Sequence, residues 1–396
     1  MKKLLFALSI FSLLLAGCTK DNSGNSSSGG NNSNTPGGEE LTSDKDLVGQ
    51  VVNLEGFENL PEKIFVLNEG QMSKNNSTLD MLRTNDGNYI NSVFKKMNPE
   101  VGAGLGDVGN DILVCGDEIW LVINNSGLVD VLSAENEKEI AAIAIPTPRS
   151  IAVDDKYAYV SSWAGAHFAG GTSTALTLKG RVYRIDLATK KLIDNVEVGY
   201  QPEGLAIRSG KLYVANSGGI NGGLESMNYT YDNTVSVIDL ETFTVTKTIT
   251  VGTNPQSVYY DGSSYIYISS FGDYYTVHSA LHAIDGEDNV TKVSDYASIT
   301  AQCGNRVYCL GNNNELDWNA AADFTAWYAS DGSKGGSLEL NLGSVYPYHW
   351  YFLSQDTILI SDALDYTLPG KVHCFHNGEL IWSITAGVCP GHFAVK

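Results

Sequence analysis

The chain has 396 residues, with 45 acidic against 25 basic side chains and a formal net charge of −20. That balance excludes a surface built to neutralise a phosphate backbone, so nucleic acid is not an expected partner. The length would hold two or three ordinary domains, but one repeating pattern takes up nearly all of it.

In chain order, Met1-Lys2-Lys3 is a basic start and Leu4 to Leu15 an apolar run too short to span a bilayer as a mature helix. Leu15-Ala16-Gly17-Cys18 resembles the bacterial lipoprotein signal, in which the Cys becomes the acylated first residue; the alternative is an ordinary secretory signal. Residues 1–17 are therefore expected to be removed and Cys18 to carry lipid. Ser, Gly and Asn dominate from Thr19 to about Glu40, which cannot build a core and reads as a tether reaching roughly 25 to 30 Å. Lys20-Asp21 partly resembles the surface-export signal of Bacteroidetes lipoproteins, with Asn22 in place of a second acid. Leu41 to Leu60 is ambiguous between tether and a loosely packed lead-in, and the expected boundary of the folded domain is residue 61.

From there the chain repeats. Gln201 to Pro255 contains four runs rich in Val, Ile, Thr and Tyr, separated by Gly, Asn, Ser and Asp, the pattern of four antiparallel strands. A Pro followed three residues later by an apolar strand residue recurs at Pro148/Ile151, Pro202/Leu205, Pro255/Val258, Pro347/Trp350 and Pro390/Phe393. Ile112 to Asn124 and Ile299 to Gly311 keep the strand pair without the Pro. Seven copies spaced by roughly 40 to 55 residues mean a propeller or similar array. The last copy, His392 to Val395, lacks a second strand, whereas Lys63 to Asn68 is a second strand without a first. Paired, the two ends complete one blade and remove the open sheet edges. The expected fold is all-β: a seven-bladed β-propeller over residues 61–396, with blade one shared by the termini. A β-sandwich would show neither a fixed period nor complementary ends.

In such a blade the loop between strands two and three shares a face with the link to the next blade. Those loops are long here (Ser162 to Gly180, Ser217 to Asp232, Phe271 to Ser279, Asn312 to Phe324, Asp362 to Gly370), and the opposite hairpins are minimal. The elaborated face is the expected ligand side. Its candidate ligand-binding residues are Trp163, His167, Phe168, Tyr200, Tyr229, Tyr231, Phe271, Tyr274, Tyr275, Trp318, Tyr348 and Tyr366. Large aromatics on surface loops suit a broad amphipathic ligand or a protein partner, and the alternative is that many of them pack beneath their own loops.

Enzymatic signals are weak. No GxSxG, HExxH or Walker motif occurs, and the seven histidines are scattered, with His373 and His376 not forming a facing metal pair. Acids on the elaborated face (Asp107, Glu203, Asp273, Asp317, Asp362, Asp365) could hold Ca²⁺ or accept hydrogen bonds, and the sequence resolves no metal. Asp285 to Asn289 reads as a tight hairpin. Besides Cys18 there are five cysteines, an odd number that closes no disulfide framework.

Tyr213-Val214-Ala215-Asn216, Asn233 to Asp239 and Thr248 to Pro255 resemble the YVTN or YncE-like propeller repeat, which implies a fold and no activity. With the Cys18 motif, the polar tether, Phe65 to Gly70 and the aromatic face, the chain resembles the BtuG family of cobalamin-capturing surface lipoproteins of gut Bacteroidetes. That resemblance implies a non-enzymatic, lipid-anchored outer-membrane protein exposed at the cell surface. It would bind cobalamin or related corrinoids as transported ligand and not as cofactor, and hand them to a TonB-dependent outer-membrane transporter. The Asp-x-His-x-x-Gly sequence by which some corrinoid enzymes ligate cobalt is absent, which argues for surface contacts to an intact corrinoid. The alternatives are a binding module for another nutrient such as a glycan, a propeller lyase or hydrolase, and a scaffold gripping a membrane partner.

Overall fold

A computed structural model describes residues 43–164, 178–221, 228–317 and 319–396. They form six four-stranded antiparallel sheets and one five-stranded sheet. Blades 2 to 6 open with the inner strands Gly109–Cys115, Pro148–Val153, Pro202–Arg208, Pro255–Tyr260 and Ile299–Cys303, and blade 7 opens with His349–Phe352. Blade 1 closes as the ends of the sequence suggest. Its inner strand, Pro390–Val395, pairs with Lys63–Asn68, with Val66 opposite Phe393 and Phe65 opposite Ala394. Inner strands of neighbouring blades touch around the ring, and the protein is a seven-bladed β-propeller.

Second strands are bonded on both edges and covered on both faces, so they read as nearly unbroken apolar runs. Lys63–Asn68, Ile266–Ser270 and Thr357–Asp362 are buried along their whole length. The fourth strands lie at the rim, and Thr244–Thr250 exposes every residue except Ile249. Accordingly there is no single core. Seven apolar clusters among the described residues each fill one blade-to-blade wedge. Between blades 6 and 7, for example, Tyr308 stacks on Phe352 with centroids 4.2 Å apart beside fully buried Trp350.

A recurring latch stitches blade to blade. The Asn216 carboxamide accepts from Gly199 N–H of the preceding blade at 3.0 Å and donates to Thr234 and Ser236 hydroxyls at 3.1 and 3.0 Å. Asn68 repeats the device with Gly387 N–H at 3.1 Å and Thr78 Oγ1 at 3.0 Å. Glycine is required opposite each Asn, because a Cβ on Gly199 would fall 2.3 Å from the Asn216 side chain.

Two features depart from the sequence expectation. First, ordered packing begins upstream of residue 61: Gln50–Val51 adds a fifth strand to blade 1 against Asn88–Ile90. Buried Asp44 shares the Lys63 ammonium at 3.1 Å with Glu137 at 2.8 Å. Second, the connection expected as a loop in blade 4 is a strand extension. Lys211–Asn221 and Asn228–Asp239 continue pairing beyond a register shift at Asn216/Gly218, as far as Asn221 opposite Asn228. Outside the described residues lie the expected leader, Cys18 and most of the tether, together with His167, Phe168 and Trp318. Among the described residues no helix is long and apolar enough to cross a membrane.

Candidate functional site

Second strands end, and inner strands begin, on the same face as the long connections. The inner strands ring the axis, so the side chains at their starts converge at its mouth. In the repeat alignment these are the two residues between the Pro and the apolar strand residue: Arg149, Glu203, Tyr348-His349 and Gly391-His392.

On one side of the mouth, Arg149 Nε donates to Glu203 Oε2 at 2.8 Å, and its Nη1 donates to Asn110 Oδ1 at 2.5 Å. The guanidinium lies 4.4 Å from the Trp163 ring centroid, and the indole N–H donates to Glu203 Oε1 at 3.2 Å. Burial pushes the Glu203 carboxyl above its usual range, opposed by Arg149. Three blades thus supply one closed unit with an aromatic plate on it.

Glu69 occupies the other side, immediately after the second strand of blade 1. Tyr348 donates its hydroxyl to Glu69 Oε1 at 2.8 Å, and His392 Nε2 stands 3.7 Å from the same oxygen. Gly391 makes room for this carboxyl, since a Cβ there would fall 2.2 Å from Oε1. Burial pushes Glu69 up to about 7 against the Tyr348 hydrogen bond and the charge of Arg149. The carboxyl still reaches solvent, because the Glu69 and His392 side chains are each 25% exposed. The His349 and His392 rings lie 5.5 Å apart. Burial holds His349 down at about 4, and burial, the neighbouring ring and Arg149 hold His392 well below the usual value. Both rings are therefore neutral at physiological pH.

The expected aromatics fall into separate groups. Trp163 and the Tyr348/Tyr366 pair, with centroids 5.6 Å apart, belong to the mouth. Tyr231, Tyr274 and Phe271 form a second group over blades 4 and 5, with Tyr274 centroids 6.2 Å from Tyr231 and 6.4 Å from Phe271. Tyr274 and Tyr366 hold left-handed backbone, φ 65° and 64°, which at a bulky residue costs on the order of 1 kcal/mol. Tyr275 is 70% exposed, and Tyr200 lies further out, in a cleft with Ala164, Leu178, Lys179, Arg181 and Glu197. His167, Phe168, Trp318 and the side chain of Tyr229 lie outside the described residues.

Of the acids expected on this face, Glu203 is part of the mouth. Asp273 and Asp365 instead tie down their own loops: Asp273 Oδ1 accepts three backbone N–H groups, which with the Thr276 hydroxyl hold its carboxyl well below the usual range. Among the described residues no group of three or more His, Cys, Asp or Glu is arranged to hold a metal. Sequence reasoning passed over Arg149, Asn110, Glu69 and His392 as site residues. The variable polar pair inside each repeat is a signal for Arg149, Asn110 and His392, whereas Glu69 follows a second strand and carries no such signal.

The fold and this face define a β-propeller with a polar axial mouth flanked by aromatic rings. No family model and no curated protein matches the chain. Among solved structures it is similar to Kuenenia stuttgartiensis hydrazine synthase, at 15% identity over 72% of this chain and 88% of that one, with a TM-score of 0.54. It is also similar to a functionally unknown protein from Desulfotomaculum acetoxidans DSM 771, at 12% identity over 84% and 98%, with a TM-score of 0.56. Likeness at such identity shows the fold alone, and the activity in the first protein's name does not transfer with it.

Proposed function

We propose that this protein is a surface lipoprotein, anchored through Cys18, that captures cobalamin or a related corrinoid on its loop-rich face and passes it to a TonB-dependent outer-membrane transporter. The observation that carries the reading is the composition of that face. Half-buried rings of Trp163, Tyr348 and Tyr366 flank polar groups whose charges are paired or suppressed, and half-buried Tyr231, Phe271 and Tyr274 add a second aromatic group over blades 4 and 5. A corrinoid presents a broad ring edged with uncharged amides, and such a ligand needs flat apolar area beside many hydrogen-bonding groups. The net charge of −20 offers nothing to an anion, and cobalamins are near neutral or cationic. Titration of the full-length protein with cyanocobalamin, followed by calorimetry and tryptophan fluorescence, should show saturable binding, and absence of heat and quenching would remove the reading.

One observation favours a second reading, an acid–base enzyme. Glu69, Tyr348 and His392 stand close together at a solvent-reaching mouth, and a carboxyl near 7 is suited to move protons at neutral pH. A ligand recovered chemically altered from the wild type and unaltered from E69Q would favour it. Selective retention on a glycan array, with no cobalamin response, would favour a glycan module.

A further inference from the structure

We infer that the axial mouth is a subsite for one uncharged primary carboxamide arm of the ligand, held between the Glu69 carboxylate and the His392 ring. This deepens the corrinoid reading and rests on it.

An anion would meet two carboxylates, Glu69 and Glu203, and, among the described residues of the mouth, a single cation, Arg149, whose Nε already serves Glu203 at 2.8 Å. A cation would compete with that same guanidinium, whose charge already acts on Glu69. A metal lacks ligands, because no suitable group of three exists among the described residues.

What remains is a neutral group with both a donor and an acceptor. The mouth leaves both needs open: Glu69 Oε1 takes the Tyr348 hydroxyl, while Oε2 has no hydrogen-bond donor among the described residues. At 3.7 Å, His392 Nε2 is too far from Glu69 for a proper hydrogen bond, and in its Nε2–H tautomer that neutral ring has an N–H to give to the mouth. A carboxamide carries N–H and C=O on separate atoms and spans acceptor and donor at once. A hydroxyl has both on one atom and must sit within reach of both groups together. Trp163, held by Glu203 and Arg149, supplies a flat wall on the far side of the mouth.

The test compares cyanocobalamin with its isomeric monocarboxylates, in each of which one amide is hydrolysed to an acid, on wild-type protein and E69Q at pH 8. One isomer should bind wild type at least tenfold more weakly than the parent, because its carboxylate meets that of Glu69. In E69Q that gap should close several-fold while the other isomers keep their ratios. Y348F, which retains the ring and removes the hydroxyl that fixes Glu69, should narrow the same gap and keeps the test valid if E69Q folds poorly. Equal binding of all isomers to wild type, or ratios unchanged in E69Q, overturns the subsite while leaving corrinoid capture standing. Failure of the parent to bind wild type removes both.

Discussion

Replacing Glu69 with Gln should stabilise the protein at alkaline pH and leave it unchanged at acid pH. The side chain keeps its shape and can still accept the Tyr348 hydroxyl through Oε1. Only the buried charge is lost. Burial raises the carboxyl from 4.5 to about 7, and each pH interval of one in that gap corresponds to about 1.4 kcal/mol. The full difference is about 3 kcal/mol, reduced to about 1–3 kcal/mol because a quarter of the side chain faces water. The sign follows from proton binding. The folded state holds this proton more tightly than the unfolded chain, so there is no penalty below the unfolded value of 4.5. The penalty grows as pH rises from there to about 7 and is constant above. Asp130, which burial and Glu139 also push to about 7, titrates in the same window but cancels when wild type and variant are compared. Urea denaturation at pH 4.5 and pH 8 provides the assay: the variant should gain about 1–3 kcal/mol at pH 8 and nothing at pH 4.5. Equal stabilities at pH 8, or a loss there, would refute the claim that this carboxyl is held ionised at a cost.

Other outcomes follow from the same geometry. Asn216→Ala removes three hydrogen bonds from a fully buried side chain and orphans the Gly199 N–H, so it should cost about 2–4 kcal/mol in urea denaturation. Ending the chain at Cys389 deletes the inner strand of blade 1, and size-exclusion chromatography should show aggregated or unfolded material in place of a monomer. A thiol-disulfide reagent should modify half-buried Cys115 and Cys303 first. Buried Cys309, Cys374 and Cys389 should react only on unfolding, burial having pushed Cys374 up to about 12. Trp163→Ala should weaken cobalamin binding at least tenfold in calorimetry while melting close to wild type, since the ring is only half-buried.

Seven blades, their antiparallel order and closure by the two termini are legible in the amino-acid order, because each depends on short-range alternation of β-forming runs and turn residues repeated at one period. That Lys63–Asn68 pairs with the last strand is implied by what each end lacks, while the register, Phe65 opposite Ala394, comes from the structure. Local pattern misleads where strand formers continue past a polar turn, as in the blade 4 extension, and where a two-residue edge strand, Gln50–Val51, is too short to show a period. The mouth belongs to tertiary structure alone. Tyr348 meets Glu69 across 279 positions, and Arg149 meets Glu203 across 54. No local preference signals such contacts, because they exist only after the ring has brought the starts of its inner strands to one axis. The shifted acidity of Glu69 has the same origin, since burial by neighbouring blades and not the identity of its sequence neighbours raises it.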